Sequence, residues 1–285
     1  MPELPEVEAL ARFLGERTVG HRLARVELGA LAALKTFAPP LDALAGRTVG
    51  GVTRRGKHLC VATDGPWLVA HLARGGWVQW RDRLPEGRTK PGRGPLALRV
   101  GLDDGAGFDL TEQGTEKRLA LWVVGDPADV EHVATLGPDP LAADFDADAL
   151  GAALAGGGQL KGALTDQRRI AGVGNAYSDE ALHRARLSPF RAADKLTAEE
   201  VGRLHDALVG VLSDALERSL GLPAKGLKGE KRSGMAVHGR TGEACPVCGD
   251  VVREVAFATK SLQYCATCQT GGKPLADRRL SRLLK

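Results

Sequence analysis

The chain of 285 residues lacks three features that would assign it to large classes of protein. It has no run of about 18 apolar residues, so no segment is long enough to span a bilayer as a helix. Its N-terminus is acidic and lacks the apolar core of a secretion signal, which predicts a cytoplasmic location. It also lacks a sustained heptad or longer repeat. The remaining class is a globular chain long enough for two domains.

Cysteine is also scarce, and its spacing is informative. Four of the five cysteines form two Cys-x-x-Cys pairs, Cys245 with Cys248 and Cys265 with Cys268, separated by 16 residues. In a cytoplasmic chain this spacing is typical of a tetrahedral zinc site with each pair at the knuckle of a β-hairpin. An iron–sulfur site or a redox pair is the alternative. Four thiolates leave the metal no open position, so the pattern predicts one structural Zn²⁺. Cys60 lies in an apolar strand pattern and is predicted to be a small core residue.

The net charge of +4 is distributed unevenly along the chain. Residues 1–135 carry a net charge of +1 and residues 136–219 one of −4, whereas residues 220–285 carry +7. A basic excess concentrated in the last quarter is typical of a segment that binds an anion. Because basic termini are often merely solvated, the charge alone assigns no function.

The first half of the chain predicts one helix followed by short strands. Val7, Leu10 and Leu14 recur at helical spacing, which predicts an amphipathic helix from Glu6 to about Gly20. Segments rich in β-branched residues and separated by turn residues follow. They are Leu23–Leu28, Thr48–Arg54, His58–Thr63, Trp67–His71, Trp77–Arg81, Leu96–Leu102 and Leu119–Val124. This spacing favours an antiparallel sandwich or barrel over alternating βα units.

The second half is predicted to be helical and to end in the cysteine-rich hairpin. The segment Leu136–Leu141 holds two prolines and a glycine, which stop regular structure and mark a domain boundary. The predicted helices are Asp148–Ala155, Leu160–Gln167, Asn175–Arg186 and a longer helix opened by the capping box Thr197–Glu200. The glycine- and lysine-rich segment Gly221–Gly234 is interpreted as a loop. We therefore predict an α+β chain with three parts, 1–135, 136–235 and 236–285.

The first residues, Met-Pro-Glu-Leu-Pro-Glu-Val-Glu, contain a candidate nucleophile. Removal of Met1, which a small second residue permits, makes Pro2 a free secondary amine. An α-amino group titrates near pH ~8, against about 10.4 for lysine, so this amine is a usable nucleophile at neutral pH. With a sugar aldehyde it forms a cationic iminium, and Glu3 beside it is a ready acid. Taken alone, the run also fits an ordinary acidic helix start with Pro5 as the first helical residue.

A second candidate is the glycine-rich segment Gly-Val-Gly-Asn-Ala-Tyr-Ser-Asp-Glu at residues 172–180. Glycines before a helix free backbone N–H groups for a phosphate, and Asn175 can donate its side-chain amide to the same anion. The alternative is an ordinary helix–turn–helix in which Asn175 is the N-cap.

Together, these two segments resemble the formamidopyrimidine-DNA glycosylase/endonuclease VIII family. That family opens with the same Pro-Glu-Leu-Pro-Glu-Val-Glu run, and its helix–two-turn–helix segment matches residues 172–180. The resemblance implies that Pro2 attacks C1′ of a damaged nucleotide and that Glu3 is the acid. The implied fold is an N-terminal helix with an antiparallel β-sandwich, followed by a helical domain with the helix–two-turn–helix and a C-terminal Cys₄ zinc-finger β-hairpin.

The resemblance also implies which side chains contact DNA. Lys57 matches a family lysine that contacts a DNA phosphate and assists catalysis, and His71 matches a histidine close to the DNA backbone. Asn175 is expected to hold a phosphate. Lys260 stands where the family has an arginine, so it is assigned a catalytic and DNA-binding role. Lys161 is expected near the lesion or its phosphate.

Two departures from the family pattern leave the lesion open. Arg74 occupies a DNA-binding position where the guanine-oxidation branch has methionine. The Arg-Arg-Phe-Gly motif of that branch is missing, and the corresponding region reads Leu-Thr-Glu-Gln-Gly-Thr-Glu-Lys-Arg at residues 110–118. In the family these positions fill the hole left by the extruded base. Oxidised purines, oxidised pyrimidines and bulky or crosslinked adducts therefore all remain candidate substrates.

The implied function is a base-excision-repair DNA glycosylase with abasic-site lyase activity. It would remove damaged, chiefly oxidised, bases through a Schiff base on Pro2 and nick the strand by β- or β,δ-elimination. The expected partner is double-stranded DNA with a damaged base or an abasic site, its target nucleotide flipped out. The segment Gly221–Gly234 is expected either to close over the flipped base or to be a merely solvated loop. No membrane is involved, and the protein is expected to be a monomer associated with the nucleoid. The alternatives are a catalytically silent DNA-damage binding protein, against which the retained Pro2 and Glu3 argue, and a zinc-ribbon protein acting through protein contacts.

Overall fold

The structure, a computed structural model, describes residues 1–92, 94–257 and 261–276. The described chain falls into two compact units. The first unit comprises residues 1–135 together with 219–228, and the second comprises residues 136–218 together with the described residues from Gly229 onward. In the described part of the chain, no helix is both long and apolar enough to cross a membrane.

The predicted N-terminal helix is present as α1, Leu4–Thr18. Its first turn contains Pro5, whose fixed φ suits that position. The carboxylate of Glu6 accepts a hydrogen bond from the backbone N–H of Glu3 at 2.8 Å, which satisfies one of the donors that a helix start leaves unpaired. Val7, Leu10 and other apolar residues of α1 are fully buried. The helix is therefore fixed through its apolar face, as its hydrophobic spacing predicts.

Two four-stranded antiparallel sheets make up most of the first unit, and they confirm the predicted β-rich half. Their strands are β1 Leu23–Leu28, β2 Val49–Arg55, β3 His58–Thr63, β4 Trp67–His71, β5 Gly76–Arg81, β6 Leu96–Leu102, β7 Gly107–Glu112 and β8 Ala120–Val124. One sheet has the order β1-β6-β7-β5 and the other β2-β3-β4-β8. A short helix, α2 (Glu131–Ala134), follows the last strand.

Strand β7 is the one that the sequence pattern does not predict. All six of its residues are buried, including three polar ones. The carboxylate of Asp109 accepts hydrogen bonds from Arg99 Nε at 2.8 Å and from Arg81 Nε at 3.1 Å. Arg99 lies on β6 and Arg81 on β5, the two neighbours of β7. The buried charge is therefore matched by partners from other strands, which a local pattern cannot reveal.

The second unit is helical and ends in the cysteine-rich hairpin, which confirms the predicted order of elements. Its helices are α3 Ala147–Leu154, α4 Leu160–Thr165, α5 Asn175–Arg184 and α6 Ala198–Ser219, and α7 Leu227–Ser233 follows them. Beyond these lie β9 Val252–Ala256, paired antiparallel with β10 Ser261–Cys265, and the short helix α8 Ala266–Thr270.

The segment Gly221–Gly234, which we interpreted as a loop, contains helix α7, so that interpretation is wrong. Leu227 is fully buried, and the carboxylate of Glu230 accepts a hydrogen bond from Arg218 Nε at 2.7 Å. One apolar anchor and an ion pair to α6 thus hold a helix in a glycine- and lysine-rich stretch whose composition is typical of a loop.

Candidate functional site

The N-terminal residues lie at the start of α1 in a protected environment. Pro2 is buried, and Glu3 is only 2% exposed. Met1, in contrast, is 46% exposed, so the peptide bond that must be cut to free the Pro2 nitrogen is at the surface. The structure therefore places the predicted nucleophile and the predicted acid side by side, with the removable residue outside them.

The turn that carries Lys57 is tied to helix α1. Arg54 on β2 donates from Nε to Glu8 of α1 at 3.1 Å and from Nη1 to the carbonyl of Gly56 at 3.3 Å. Gly56 has a φ of +55°, a conformation that favours glycine. Lys57 follows it and is 8% exposed. One arginine thus links the turn of the predicted phosphate-binding lysine to the helix that begins beside Pro2 and Glu3.

Two histidines lie together on the strands that follow this turn. His58 on β3 is paired with His71 on β4, and their ring centroids are 5.0 Å apart. Burial, together with the neighbouring His71, lowers the pKa of His58 to about 3. Burial, together with the charge of Lys57, lowers the pKa of His71 to about 4. Both imidazoles are therefore neutral near pH 7.

Arg74 is exposed on a tight loop between β4 and β5. Ala73 before it has a φ of +51°. A Cβ added to Gly75 would lie 2.3 Å from the carbonyl oxygen of Gln113, so the loop passes close to the segment that follows β7. Arg74 lines a shallow cavity of about 360 Å³ with that segment, which occupies the place of the missing family motif. The two departures from the family pattern are thus neighbours in space.

The glycine-rich segment of the second unit forms the turn before α5. Gln167 holds this turn, donating to the carbonyls of Thr165 and Val173 and accepting from the N–H of Gly172. The N-cap is Gly174, not Asn175, so the N-cap alternative for Asn175 is wrong. The Asn175 amide donates to the carbonyl of Ser261 at 2.8 Å. Asn175 therefore joins the start of α5 to strand β10.

Lys161, which the sequence predicts to contact DNA, lies in an internal ion pair. Its Nζ is 2.6 Å from Oδ1 of Asp179 and 2.9 Å from both Ser178 Oγ and the carbonyl oxygen of Asn175. An ammonium group has three donors, and these acceptors use all of them. Lys161 therefore positions the first turns of α5, and we expect it to make no phosphate contact.

Two buried acids on α5 were missed by the sequence reasoning. Asp179, 1% exposed, also accepts from Nδ1 of His238 at 2.8 Å. Glu180 accepts from the backbone N–H groups of Ala236, Val237 and His238 at 2.7 to 2.9 Å. The sequence carried little signal, because Asp179 and Glu180 stand among other polar residues of α5, and only their burial shows that these carboxylates require partners.

The four predicted metal ligands come together. The sulfur atoms of Cys245, Cys248, Cys265 and Cys268 lie within 4.8 Å of one another. Cys245 and Cys268 are 3.9 Å apart, and Cys248 and Cys265 are 3.4 Å apart. A tetrahedral zinc with Zn–S bonds of about 2.3 Å requires S···S separations of about 3.8 Å, so the cluster fits zinc. Burial raises the pKa of the Cys265 thiol to about 11; a bound cation would offset this by stabilising the thiolates.

Cys60 and Lys260 are the two remaining residues for which the sequence makes a prediction. Cys60 is fully buried, and burial raises the pKa of its thiol to about 12, which is consistent with an inert core residue. Lys260, predicted to contact the lesion's phosphate, lies outside the described residues.

Three domain-family models match the chain in order. They are the formamidopyrimidine-DNA glycosylase N-terminal domain over residues 1–115, the formamidopyrimidine-DNA glycosylase H2TH domain over residues 136–223, and the zinc finger found in FPG and IleRS over residues 242–271.

Relatives match along most of the chain. The formamidopyrimidine-DNA glycosylase of Symbiobacterium thermophilum is 37% identical over 292 residues, which cover 98% of this chain and 93% of that protein. An uncharacterized formamidopyrimidine-DNA glycosylase-like protein of Mycobacterium tuberculosis is 62% identical over 151 residues, or 53% of this chain and 94% of that protein.

Solved structures have the same fold. The MutM (Fpg) protein of Thermus thermophilus matches with a TM-score of 0.79 and 35% identity, covering 96% of this chain and 100% of that one. The Lactococcus lactis Fpg in complex with DNA containing an abasic site matches with a TM-score of 0.82 and 26% identity, covering 94% of this chain and 99% of that one.

Proposed function

Because the chain belongs to the formamidopyrimidine-DNA glycosylase family, we propose that it excises damaged bases from double-stranded DNA and then cleaves the strand at the resulting abasic site. The observation that carries this proposal is the buried Pro2–Glu3 pair at the start of α1, with an exposed Met1 before it. Structural neighbours of the chain include Fpg bound to abasic-site DNA.

Pro2 is the nucleophile of the proposed reaction. Once Met1 is removed, the Pro2 nitrogen attacks C1′ of the flipped nucleotide, and the bond from C1′ to the base breaks with its electron pair leaving on the base. Opening of the sugar ring gives an iminium between C1′ and the nitrogen. The iminium acidifies the proton on C2′, whose loss expels the 3′ phosphate by β-elimination. A secondary amine suits this sequence because its iminium is cationic without further protonation.

Glu3 is the acid that delivers a proton to the sugar ring oxygen as the ring opens. Glu3 is 2% exposed. Its place next to the nucleophile means that the amine and the acid reach the same sugar. General acid assistance of this type contributes about 10²- to 10⁴-fold to rates.

The proposed DNA contacts combine charge with neutral hydrogen bonds. Lys57 supplies the cation on the turn beside α1, and the neutral His71 supplies a hydrogen bond to the backbone. Asn175 acts from the glycine-rich start of α5, while Arg74 reaches the space left by the extruded base. Lys260 is proposed to contact a phosphate because it stands where the family has an arginine. Contacts of this kind position the duplex without reading its sequence.

Trapping of the covalent intermediate tests the mechanism. Borohydride reduces the iminium, so incubation with an abasic-site duplex should yield a protein–DNA adduct. A variant with one residue inserted between Met1 and Pro2 converts the Pro2 nitrogen into an amide, which should abolish the adduct and base release while DNA binding persists. An adduct of undiminished yield from this variant, confirmed by mass spectrometry to retain the extension, would refute the role of Pro2.

The same experiment separates the enzyme from a catalytically silent binding protein on this scaffold. Binding of abasic DNA by the processed chain without any adduct would support the silent protein. A panel of duplexes carrying oxidised purines, oxidised pyrimidines or bulky adducts then identifies the substrate. We propose oxidised bases as the main class of substrate. Bulky or crosslinked adducts are the alternative, because the cavity lined by Arg74 lacks the Arg-Arg-Phe-Gly motif of the guanine-oxidation branch.

A further inference from the structure

The proposed reaction leaves unused a buried histidine that touches the cysteine cluster. His183, in the last turns of α5, is 5% exposed. Its Nε2 lies 3.3 Å from Sγ of Cys245, which is 3% exposed and 62 residues further along the chain. A zinc-bound Cys245 would be a thiolate, which can only accept a hydrogen bond, so Nε2 would then carry the proton and donate it to the sulfur. The contact joins a helix of the helix–two-turn–helix to a predicted zinc ligand.

A zinc site with four cysteines benefits from such a donor. Four thiolates around one Zn²⁺ leave a net charge of −2 on the cluster, and two of the four ligands, Cys245 and Cys265, are almost inaccessible to water. Hydrogen bonds to the sulfurs spread this charge, and groups outside the ligand set tune metal sites in this way. Backbone N–H groups of Val247 and Cys248 also interact with the Cys245 sulfur. Among the described residues, His183 adds a donor from outside the hairpin.

We propose that His183 is a positioning residue of the zinc centre, donating Nε2–H to the Cys245 thiolate and thereby coupling metal occupancy to helix α5. This inference rests on the zinc site and not on base excision. The cysteines already provide four ligands for a tetrahedral ion, so the imidazole acts on the sulfur and not on the metal.

Two further contacts extend this coupling along the helix. At the start of α5, Asn175 donates to the carbonyl of Ser261 on β10. Just beyond its end, the carbonyl of Leu187 accepts from Gln269 Nε2 at 3.0 Å, and Gln269 Oε1 accepts from the N–H of the ligand Cys265 at 2.9 Å. Residues near the cysteine cluster thus form hydrogen bonds at both ends of helix α5. His183 lies between these two contacts. Zinc occupancy should therefore hold in place the helix start that carries Asn175.

Zinc affinity of the full chain tests the proposal. Competition with a chromophoric chelator should show about 10- to 100-fold weaker zinc binding in His183→Phe, the range typical of lost outer partners. His183→Gln, which keeps a side-chain N–H donor, should remain closer to wild type. His205→Phe is the matched control, because His205 lies on α6 of the same unit and contacts the carbonyl of Phe145 instead of a cysteine. Equal affinities for wild type and His183→Phe, or equal losses in the Phe and Gln variants, would overturn the proposal.

Two spectroscopic measurements distinguish the hydrogen bond from mere packing. In cobalt-substituted protein, loss of a donor makes the thiolate easier to oxidise, so the sulfur-to-metal charge-transfer band of His183→Phe should move to longer wavelength. In wild-type protein loaded with an NMR-active cadmium isotope, the proton on Nε2 of His183 should show scalar coupling to the metal through the sulfur. The second measurement needs no variant to fold. Absence of this coupling, with the other hydrogen-bonded amides showing it, would refute the bond.

Discussion

At the residue scale, His58 and His71 make the stability of the first unit depend on pH. Their pKa values in the folded protein, about 3 and about 4, lie below the value of about 6.5 expected for an unfolded chain. Between these limits the unfolded chain binds protons that the folded chain does not, so the free energy of unfolding falls as pH decreases. The stabilisation is complete above pH ~6.5 and is lost as pH falls to about 4 for His71 and about 3 for His58.

We therefore expect the thermal midpoint of the first unit to drop between pH 6.5 and pH 4. The loss should be on the order of 5 kcal/mol, because each unit of pKa difference corresponds to about 1.4 kcal/mol and the pKa values of both histidines are lowered. His58→Phe removes one titrating group while keeping an aromatic ring against Trp122, so its pH dependence should be shallower. Circular dichroism melts of both proteins across this range measure the effect. Parallel curves would show that His58 does not titrate in this way.

At the element scale, a buried acid of helix α5 holds a segment that is distant in the chain. The carboxylate of Glu180 receives three backbone N–H groups from Ala236, Val237 and His238. Hydrogen bonds to charged groups contribute about 1.5 to 3 kcal/mol each. This acid therefore fixes the segment that leads from α7 into the zinc hairpin.

Glu180→Gln should loosen that segment. The variant loses the negative charge and presents an N–H group toward backbone N–H groups, so we expect a destabilisation on the order of 3 kcal/mol. Hydrogen exchange of residues 235–240 should accelerate, whereas the sheets of the first unit should be unchanged. Glu217→Gln, at an exposed position of α6, serves as the control and should match wild type. Unchanged exchange in the Glu180 variant would assign the order of this segment to packing instead.

The same scale shows what the sequence could and could not predict. Helix α1 and most of the strands were predictable because apolar spacing and turn residues are local signals. Strand β7 was not, because it buries the charged residue Asp109, which is stabilised by Arg99 and Arg81 on neighbouring strands. Helix α7 was not, because its one apolar anchor, Leu227, stands among glycines and lysines. An element that is stabilised by partners distant in the chain cannot be recognised from its own residues alone.

At the scale of the whole molecule, the described chain falls into two compact units. Residues 219–228 cluster with the first unit, and there the carbonyl of Ala224 accepts a hydrogen bond from the indole of Trp77 at 2.8 Å. The boundaries 1–135, 136–235 and 236–285 stay a prediction. Among the site residues, the Pro2–Glu3 pair and the four cysteines could be predicted because they belong to short sequence motifs. Asp179, Glu180 and His183 became visible only through their partners.

DNA binding by the whole chain should depend steeply on salt, because phosphate contacts release counterions. Lys57→Gln should reduce the slope of log affinity against log salt by about one unit. Lys161→Met should leave the slope unchanged, because its ammonium is bound to Asp179 inside the second unit. Fluorescence anisotropy of an abasic duplex over a salt series gives all three slopes. A reduced slope in the Lys161 variant would restore that residue to the DNA surface.

We expect the folding of residues 242–271 to depend on zinc, because little apolar material surrounds the cysteines. Among the described residues, the buried cluster at the site consists of Val237, Val252 and two of the thiols themselves, Cys245 and Cys265. So small a core does not offset the entropy of ordering the chain, and metal binding supplies the missing free energy. The fifth cysteine, Cys60, belongs to a separate core cluster in the first unit.

Removing the metal should therefore unfold one part of the molecule and spare the other. Cys268→Ser should bind no zinc and lose hydrogen-exchange protection over residues 242–271, because three ligands and a hydroxyl hold zinc far less tightly than four thiolates. Strands β2, β3 and β4 should keep their protection, since their hydrogen bonds involve no residue of the hairpin. Cys60→Ala, the matched control, should retain one zinc per chain by elemental analysis and bind DNA as wild type does. Protection of β9 and β10 that survives in the zinc-free protein would mean that packing against Phe190 and Leu275, and not the metal, holds the hairpin.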